Sequence, residues 1–211
     1  TEWRRVDKLR RSYRAAGLPP TLPQVMHSAF PMLSGQLAAY ASRHPGEAAV
    51  VECFHGFLVS AHDVFERAHS AGHFTGSAWL VSGDGSRVLL MHHRKLDRWL
   101  QPGGHADGDT DLARVALREA QEETGVIDLR VEGGIFDIDR HRIPVRANEP
   151  EHWHYDVRYV VRAGGDDRFV INEESQALAW RSVIEVAAES GFDASLRRMA
   201  RKWLARDGLG V

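Results

Sequence analysis

Glu119, Glu122 and Glu123 stand at positions i, i+3 and i+4 of one segment. On a helix that spacing gathers three carboxylates on one face, within reach of a common point. Left unneutralised they repel one another. A hard divalent cation such as Mg²⁺, with Mn²⁺ as a substitute, relieves the repulsion because it prefers oxygen ligands and keeps positions for water and phosphate oxygens. Arg118 lies beside Glu119 and four residues before Glu122, placed to hold one carboxylate by a charge-assisted hydrogen bond. Upstream, Gly103 and Gly104 let the backbone approach a metal or phosphate closely. The plain alternative is a solvated acidic helix behind an ordinary glycine turn. It does not account for the arginine, the carboxylates and the glycines falling in one register.

Further candidates lie outside this segment. Arg94, Lys95 and Arg98 precede the glycines and are suited to phosphate oxygens, although charged hairpin residues are commonly just solvated. His105 follows the glycines directly and is a candidate phosphate contact. In the run His152-Trp153-His154-Tyr155-Asp156, strand alternation puts His152, His154 and Asp156 on one face, where they could line a substrate cleft or hold an additional metal. Adjacent His92 and His93 must face opposite ways, and His69 and His73 read as structural. Glu173 or Glu174 is a candidate acid or base from outside the carboxylate helix.

The elements that must position these groups follow from periodicity. Asp111 to Thr124 reads as a helix through Leu112, Ala116 and Ala120, with Gly125 placed for a left-handed cap. Strands are expected over Phe74 to Ser82 and Ser86 to His92, joined by a hairpin at Gly83-Asp84-Gly85. More are expected over Asp128 to Ile138, His152 to Arg162 and Arg168 to Ile171, with closing helices over Val183 to Glu189 and Ala194 to Ala205. Before the sheet, Trp3 to Tyr13, Gln24 to Arg43 and Glu47 to Ala68 read as helices, broken by the proline-rich stretch from Gly17 to Pro23. The expectation is an α/β or α+β sandwich with a mixed sheet over 71–211, preceded by a helical extension over 1–70.

Composition narrows the function classes. With 43% hydrophobic and 27% charged residues, the 211-residue chain has the balance of a globular protein. A net charge of -2 supplies no field that would gather polymeric nucleic acid. The basic runs from Arg4 to Arg14 and Arg197 to Arg206 fit solvated helix faces better than anion-binding arms. Cys53 is the only cysteine, so no internal disulfide forms and a reducing cytoplasm is expected. No apolar run of transmembrane length is present, so no membrane partner is expected. The chain starts at Thr1 rather than Met, which reads as trimming or truncation.

The residues Gly104 and Arg118-Glu119-Ala120-Gln121-Glu122-Glu123-Thr124-Gly125-Val126, with the lead-in Trp99, Pro102 and Gly103, resemble the signature of the Nudix hydrolases. That box reads G, five residues, E, seven residues, then R-E-U-x-E-E-x-G-U, with U a bulky aliphatic. The resemblance implies an α/β/α sandwich and divalent-metal hydrolysis of a phosphoanhydride in a nucleoside diphosphate derivative or related organic pyrophosphate. It assigns metal binding to Gly104, Glu119, Glu122 and Glu123, and catalysis to Glu119, as the leading candidate general base, with Arg118. Arg94, Lys95, His105, His152, His154 and Glu174 are the candidates for substrate binding. The partner is a small-molecule nucleotide or pyrophosphate, and the Trp3 to Tyr13 face offers a surface for a homodimer.

Two positions depart from the box. Ala120 is small for its slot, and Thr110 replaces the first glutamate, which predicts Thr110 as the helix N-cap and a weaker metal site unless Asp109 or Asp111 turns inward. That departure keeps a second reading open, a ligand sensor that retains the fold without turnover. A diphosphate isomerase would need a catalytic cysteine, and Cys53 lies in the helical extension.

Overall fold

The computed structural model describes residues 30–145, 150–165, 167–171 and 175–206. The Trp3 to Tyr13 helix and Glu174 lie outside these residues. Two helices come first, α1 (Pro31–Arg43) and α2 (Ala48–Leu58), joined by a short 3₁₀ turn, Pro45–Glu47. The strands β1 (Gly72–Val81), β2 (Arg87–His93), β3 (Arg98–Leu100) and β4 (Gly103–His105) follow, then α3 (Leu112–Thr124). The chain continues through β5 (Leu129–Ile143), β6 (His152–Ala163), β7 (Ser175–Ser182), α4 (Val183–Ala188) and α5 (Ala194–Arg206).

All seven strands join one mixed sheet in the order β3-β2-β1-β6-β5, with β4 added to β1 and β7 added to β2. Only β1 and β6 run parallel, from Gly72 opposite Trp153 to Val81 opposite Arg162. Both strands are buried nearly throughout, as befits strands covered on two faces. On one face α1, α2 and α3 meet Phe74, Ala78, Leu80, Tyr155 and Val157 in the larger core. On the other, α4 and α5 cover Trp79, Val81, Val88, Leu90 and Val160. The expected α/β/α sandwich is present. Leu33, Leu37, Tyr40, Phe54 and Phe57, from the helices ahead of the sheet, belong to the same core as β1 and β6.

Two expectations of local structure are corrected. The helix expected over Glu47 to Ala68 spans only Ala48–Leu58. Val64 and Phe65 beyond it are buried without forming a helix, because an apolar loop that packs on the core looks helical in composition. The strand expected over Arg168 to Ile171 is irregular chain, and Ser175–Ser182 forms β7 against β2 instead.

A charged network fastens α5 to the sheet. Asp137 on β5 is fully buried and accepts hydrogen bonds from Arg158 at 3.1 Å, Arg198 at 2.7 Å and Lys202 at 2.7 Å. Arg158 also bonds Asp156 at 2.7 Å and lies 3.4 Å from Asp139, while Lys202 reaches Tyr40 on α1 at 2.6 Å. Burial raises the Asp137 and Asp139 carboxyls, but their bonds to Arg198 and His141 and the nearby Arg158 outweigh it, leaving both below the usual carboxylate range. A depressed folded-state pKa adds stability that is fully present above the unfolded value near ~3.9 and is lost as pH falls below it. Asp137→Asn is therefore expected to cost about 3–5 kcal/mol at neutral pH, because it leaves buried cations undercompensated. Urea denaturation across acid pH checks this: the variant's loss of stability below pH ~4 should be shallower than the wild type's.

Candidate active site

The β4 backbone and the α3 side chains build the site together. Gly104 pairs with Gly76 on β1, and Gly103 with Ser77. In an antiparallel ladder, backbone groups of successive residues turn alternately toward and away from the partner strand. Those of Gly103 and His105 therefore turn outward to α3. The Gly103 N–H donates to Glu123 Oε2 at 2.9 Å, and the His105 carbonyl accepts from Arg118 at 3.0 Å. Arg118 also donates to Glu119 Oε1 at 2.7 Å, and the pair holds the arginine above its ordinary pKa. A Cβ on Gly104 would fall 2.5 Å from the Glu119 carboxyl carbon, so glycine is what lets this carboxylate lie against the strand. Glu123 is 7% exposed, whereas Glu122 faces solvent.

The helix has one apolar side, with Leu112, Val115, Ala116 and Ala120 in the core. Its end is the expected glycine cap, Gly125 at φ 65°, whose N–H donates to Gln121 O at 2.8 Å. Its start differs from expectation. Asp111, not Thr110, is the N-cap, accepting from the Arg114 N–H at 3.2 Å. Asp109 accepts from the Asp111 N–H and forms a paired bond with Arg114 at 2.7 and 2.6 Å. Both aspartates are thus spent on the helix start, and Thr110 is exposed.

The candidate histidines gather on the other side of β4. Adjacent strand residues face opposite ways, so with Gly104 turned to α3, His105 turns to the face carrying His73 and His154, whose rings lie 4.9 and 5.2 Å from its own. His152 joins them, its Nε2 3.2 Å from that of His154 and its Nδ1 donating to Pro150 O at 2.9 Å. Cross-strand register makes the row: His141, His154 and His73 are consecutive partners on β5, β6 and β1. Burial, then neighbouring His105, lowers His73 to about 4; burial, then His73, lowers His154 to about 2. Sequence reading placed His73 among structural residues and gave His141 no role. The signal was their alignment with His154, which only the strand pairing reveals. Asp156, expected on this face, is buried and accepts from Thr75 at 2.9 Å and Ser77 at 2.7 Å.

Arg94 and Lys95 fall in the turn between β2 and β3, where Arg94 donates to Ser175 O at 3.1 Å and Lys95 is exposed. Arg98 lies 3.9 Å from Asp193. Cys53 sits on α2.

Comparison with known proteins adds to this geometry. A sequence profile described as the NUDIX domain matches residues 73–203. The chain belongs to the Nudix family. A Mycobacterium tuberculosis protein named "Putative 8-oxo-dGTP diphosphatase 3" is 32% identical over 124 residues, 55% of each chain. This Nudix chain therefore matches about half the length of that relative. Among solved structures, a NUDIX family hydrolase from Clostridium perfringens has TM-score 0.51 and 24% identity, covering 65% of this chain and 98% of that one. A C. elegans Ap4A hydrolase binary complex has TM-score 0.51 and 16% identity, covering 65% and 98%. These structural likenesses show the Nudix fold.

The capping assignment has a direct check. Asp111→Ala should lower unfolding free energy by ~1 kcal/mol, while Thr110→Ala should stay within about 0.5 kcal/mol of wild type. Equal losses in urea titrations would restore Thr110 as the cap.

Proposed function

We propose that this Nudix chain is a divalent-metal-dependent hydrolase that cleaves a phosphoanhydride bond in a nucleoside diphosphate derivative or a related organic pyrophosphate. The observation that carries the reading is the seating of Glu119 and Glu123 against the side-chain-free backbone of Gly103 and Gly104. A helix meant only for solvent would not spend a buried carboxylate there.

The residues fit a hard cation. Glu119, Glu122 and Glu123 offer an all-oxygen donor set on one helical face, the kind Mg²⁺ or Mn²⁺ takes. Because the ladder turns the N–H and C=O of Gly104 toward β1, the backbone oxygen we assign to this set is that of Gly103, on the same side as its N–H to Glu123. A divalent ion held by these carboxylates would neutralise charge on the pyrophosphate and make water more acidic. Glu119 receives the proton of the attacking water, and Arg118 sets its orientation by gripping Oε1 while anchored on the His105 carbonyl. Glu123 stays fixed by the Gly103 N–H, so its position is set before substrate arrives. His105, His152 and His154, expected at the substrate, lie on the face of β4 away from the carboxylates, so the proposed substrate contacts are the more distant Arg94 and Lys95. Glu174 belongs to the same proposal as an acid from outside the helix.

The substrate class is small-molecule. The relatives' names mention 8-oxo-dGTP and Ap4A, both phosphoanhydrides, which agrees with the carboxylate chemistry. Among the described residues no helix is long and apolar enough to cross a membrane.

Incubation with a panel of nucleoside di- and triphosphates, dinucleoside polyphosphates and nucleotide sugars, read by phosphorus NMR with and without Mg²⁺, tests the assignment. Metal-dependent cleavage of at least one compound is expected; none across the panel would favour the sensor reading. Glu123→Gln should lower turnover ~10²-fold or more, as loss of one essential electrostatic group does, with the circular dichroism spectrum unchanged. Thr110→Glu restores the first glutamate of the box and should lower the Mg²⁺ concentration needed for half-maximal rate.

A further inference from the structure

We propose that His73, His105 and His154 form a second metal site, distinct from the carboxylate site, that takes a divalent transition metal ion of the zinc class, with His152 as the fourth ligand. The proposal is independent of the hydrolase reading. Its starting point is His73, which is 2% exposed and has neither ring nitrogen hydrogen-bonded. A buried polar group left without a partner costs ~1–3 kcal/mol, and this one is surrounded by the rings of His105, His152 and His154 at 4.7 to 4.9 Å. Among the described residues no carboxylate or carbonyl answers it. An ion accepting its lone pair would.

The donor set is close to assembled. One ring nitrogen from each of His73, His105 and His154 lies within 4.8 Å of the others. Around a tetrahedral zinc with bonds of ~2.0 Å the ligand nitrogens stand about 3.3 Å apart, so small side-chain rotations close the set. His152 Nε2 already lies 3.2 Å from His154 Nε2, about that tetrahedral edge. Its Nδ1–H donates to Pro150 O at 2.9 Å, which leaves Nε2 as the lone-pair nitrogen, the arrangement expected of a metal-ligating histidine. All four ligands come from strands β1, β4 and β6, whose pairing fixes their Cα positions. A pocket of ≈ 210 Å³, lined by His73, His105, His152, His69 and Arg67 among others, opens on the cluster and gives an entry path.

Imidazole donors also set the choice of ion. They suit zinc, copper, iron and nickel, whereas Mg²⁺ seeks oxygen. The two sites therefore separate by chemistry as well as by face of β4.

The test is equilibrium dialysis of the full chain against Zn²⁺ with Mg²⁺ in large excess, followed by metal analysis, with Co²⁺ as a spectroscopic substitute. One equivalent of Zn²⁺ per chain and a tetrahedral visible Co²⁺ band without thiolate charge transfer are expected. His154→Gln and His105→Gln should each weaken Zn²⁺ binding by at least the ~10–100-fold that loss of a mere supporting residue costs, while Glu123→Gln should retain it. Should a histidine variant misfold by circular dichroism, imidazole proton NMR of the wild type decides, because Zn²⁺ must shift the His73 and His154 resonances. Failure to bind Zn²⁺, equal binding by the histidine variants, or loss in Glu123→Gln would overturn the site. None of these outcomes bears on metal-dependent hydrolysis at the carboxylates.

Discussion

The hydrogen bond from the Gly103 amide to Glu123 fixes how closely α3 approaches the sheet, and the placement of the other groups follows from that approach. A carboxylate can come this near a strand only where the strand carries no side chain. Gly104 meets that condition, since a Cβ there would strike Glu119, and at Gly103 a Cβ would land 2.1 Å from the Ser77 hydroxyl of the paired strand. The same closeness recurs at Gly76, where a Cβ would meet the Leu112 carbonyl at 2.8 Å and Val115 at 3.0 Å. Gly76 and Gly104 thus let one helix lie low on β1 and β4, while Gly103 lets β4 lie close to Ser77 of β1. With the helix so seated, Arg118 reaches the His105 carbonyl and Glu119 together. Ala120, small for its place in the box, is fully buried, and a helix lying this low leaves less room for a long side chain there.

What the sequence showed clearly was whatever local periodicity controls. Helix α3 and its Gly125 cap were legible because the apolar repeat and a left-handed glycine are both local properties. Strands β1, β2 and β6 were found within two residues, because their alternating or apolar runs exceed any competing pattern. The capping residue was misread by one position. Thr110 and Asp111 are both good caps, and the choice was settled by Arg114, which holds Asp109 and presents its own N–H to Asp111. Strand β7 was not legible, since Ser175–Ser182 mixes Ser, Gln, Ala and Arg and is a strand chiefly through its pairing with β2.

The histidine row shows the same limit at the level of a site. His73 and His154 are separated by most of the domain in sequence, and their neighbourhood is set by the parallel register of β1 and β6. A slip of one residue would send His73 to the opposite face and bring Phe74 in its place. That register is itself enforced from the core side, where Phe74 lies 5.8 Å from Tyr155 and Phe57 stacks on Tyr155 at 3.9 Å. The helices ahead of the sheet therefore do more than cover it. By clamping Tyr155 between α2 and β1 they determine which polar residues meet on the far face.

Along that far face the rows change character in order. Near α5, Trp79 and Val160 are apolar. Next comes Asp137, Arg158 and Ser77, then Asp139, Asp156 and Thr75, rows in which every charge has an opposite charge or hydroxyl within hydrogen-bonding reach. The last row is His141, His154 and His73, where imidazoles face imidazoles. Neutral imidazoles satisfy one another poorly, because each has one donor and one acceptor in fixed directions, and burial keeps His73 and His154 neutral. Asp139 of the ionic rows bonds His141 at 3.2 Å, but Asp156 is already engaged by Thr75, Ser77 and Arg158 and leaves His73 without a partner. Among the described residues, the charged rows of the face are therefore complete, while His73 at its open end is not. There the pocket beside His73 and His105 is where a partner from solution has room to complete it.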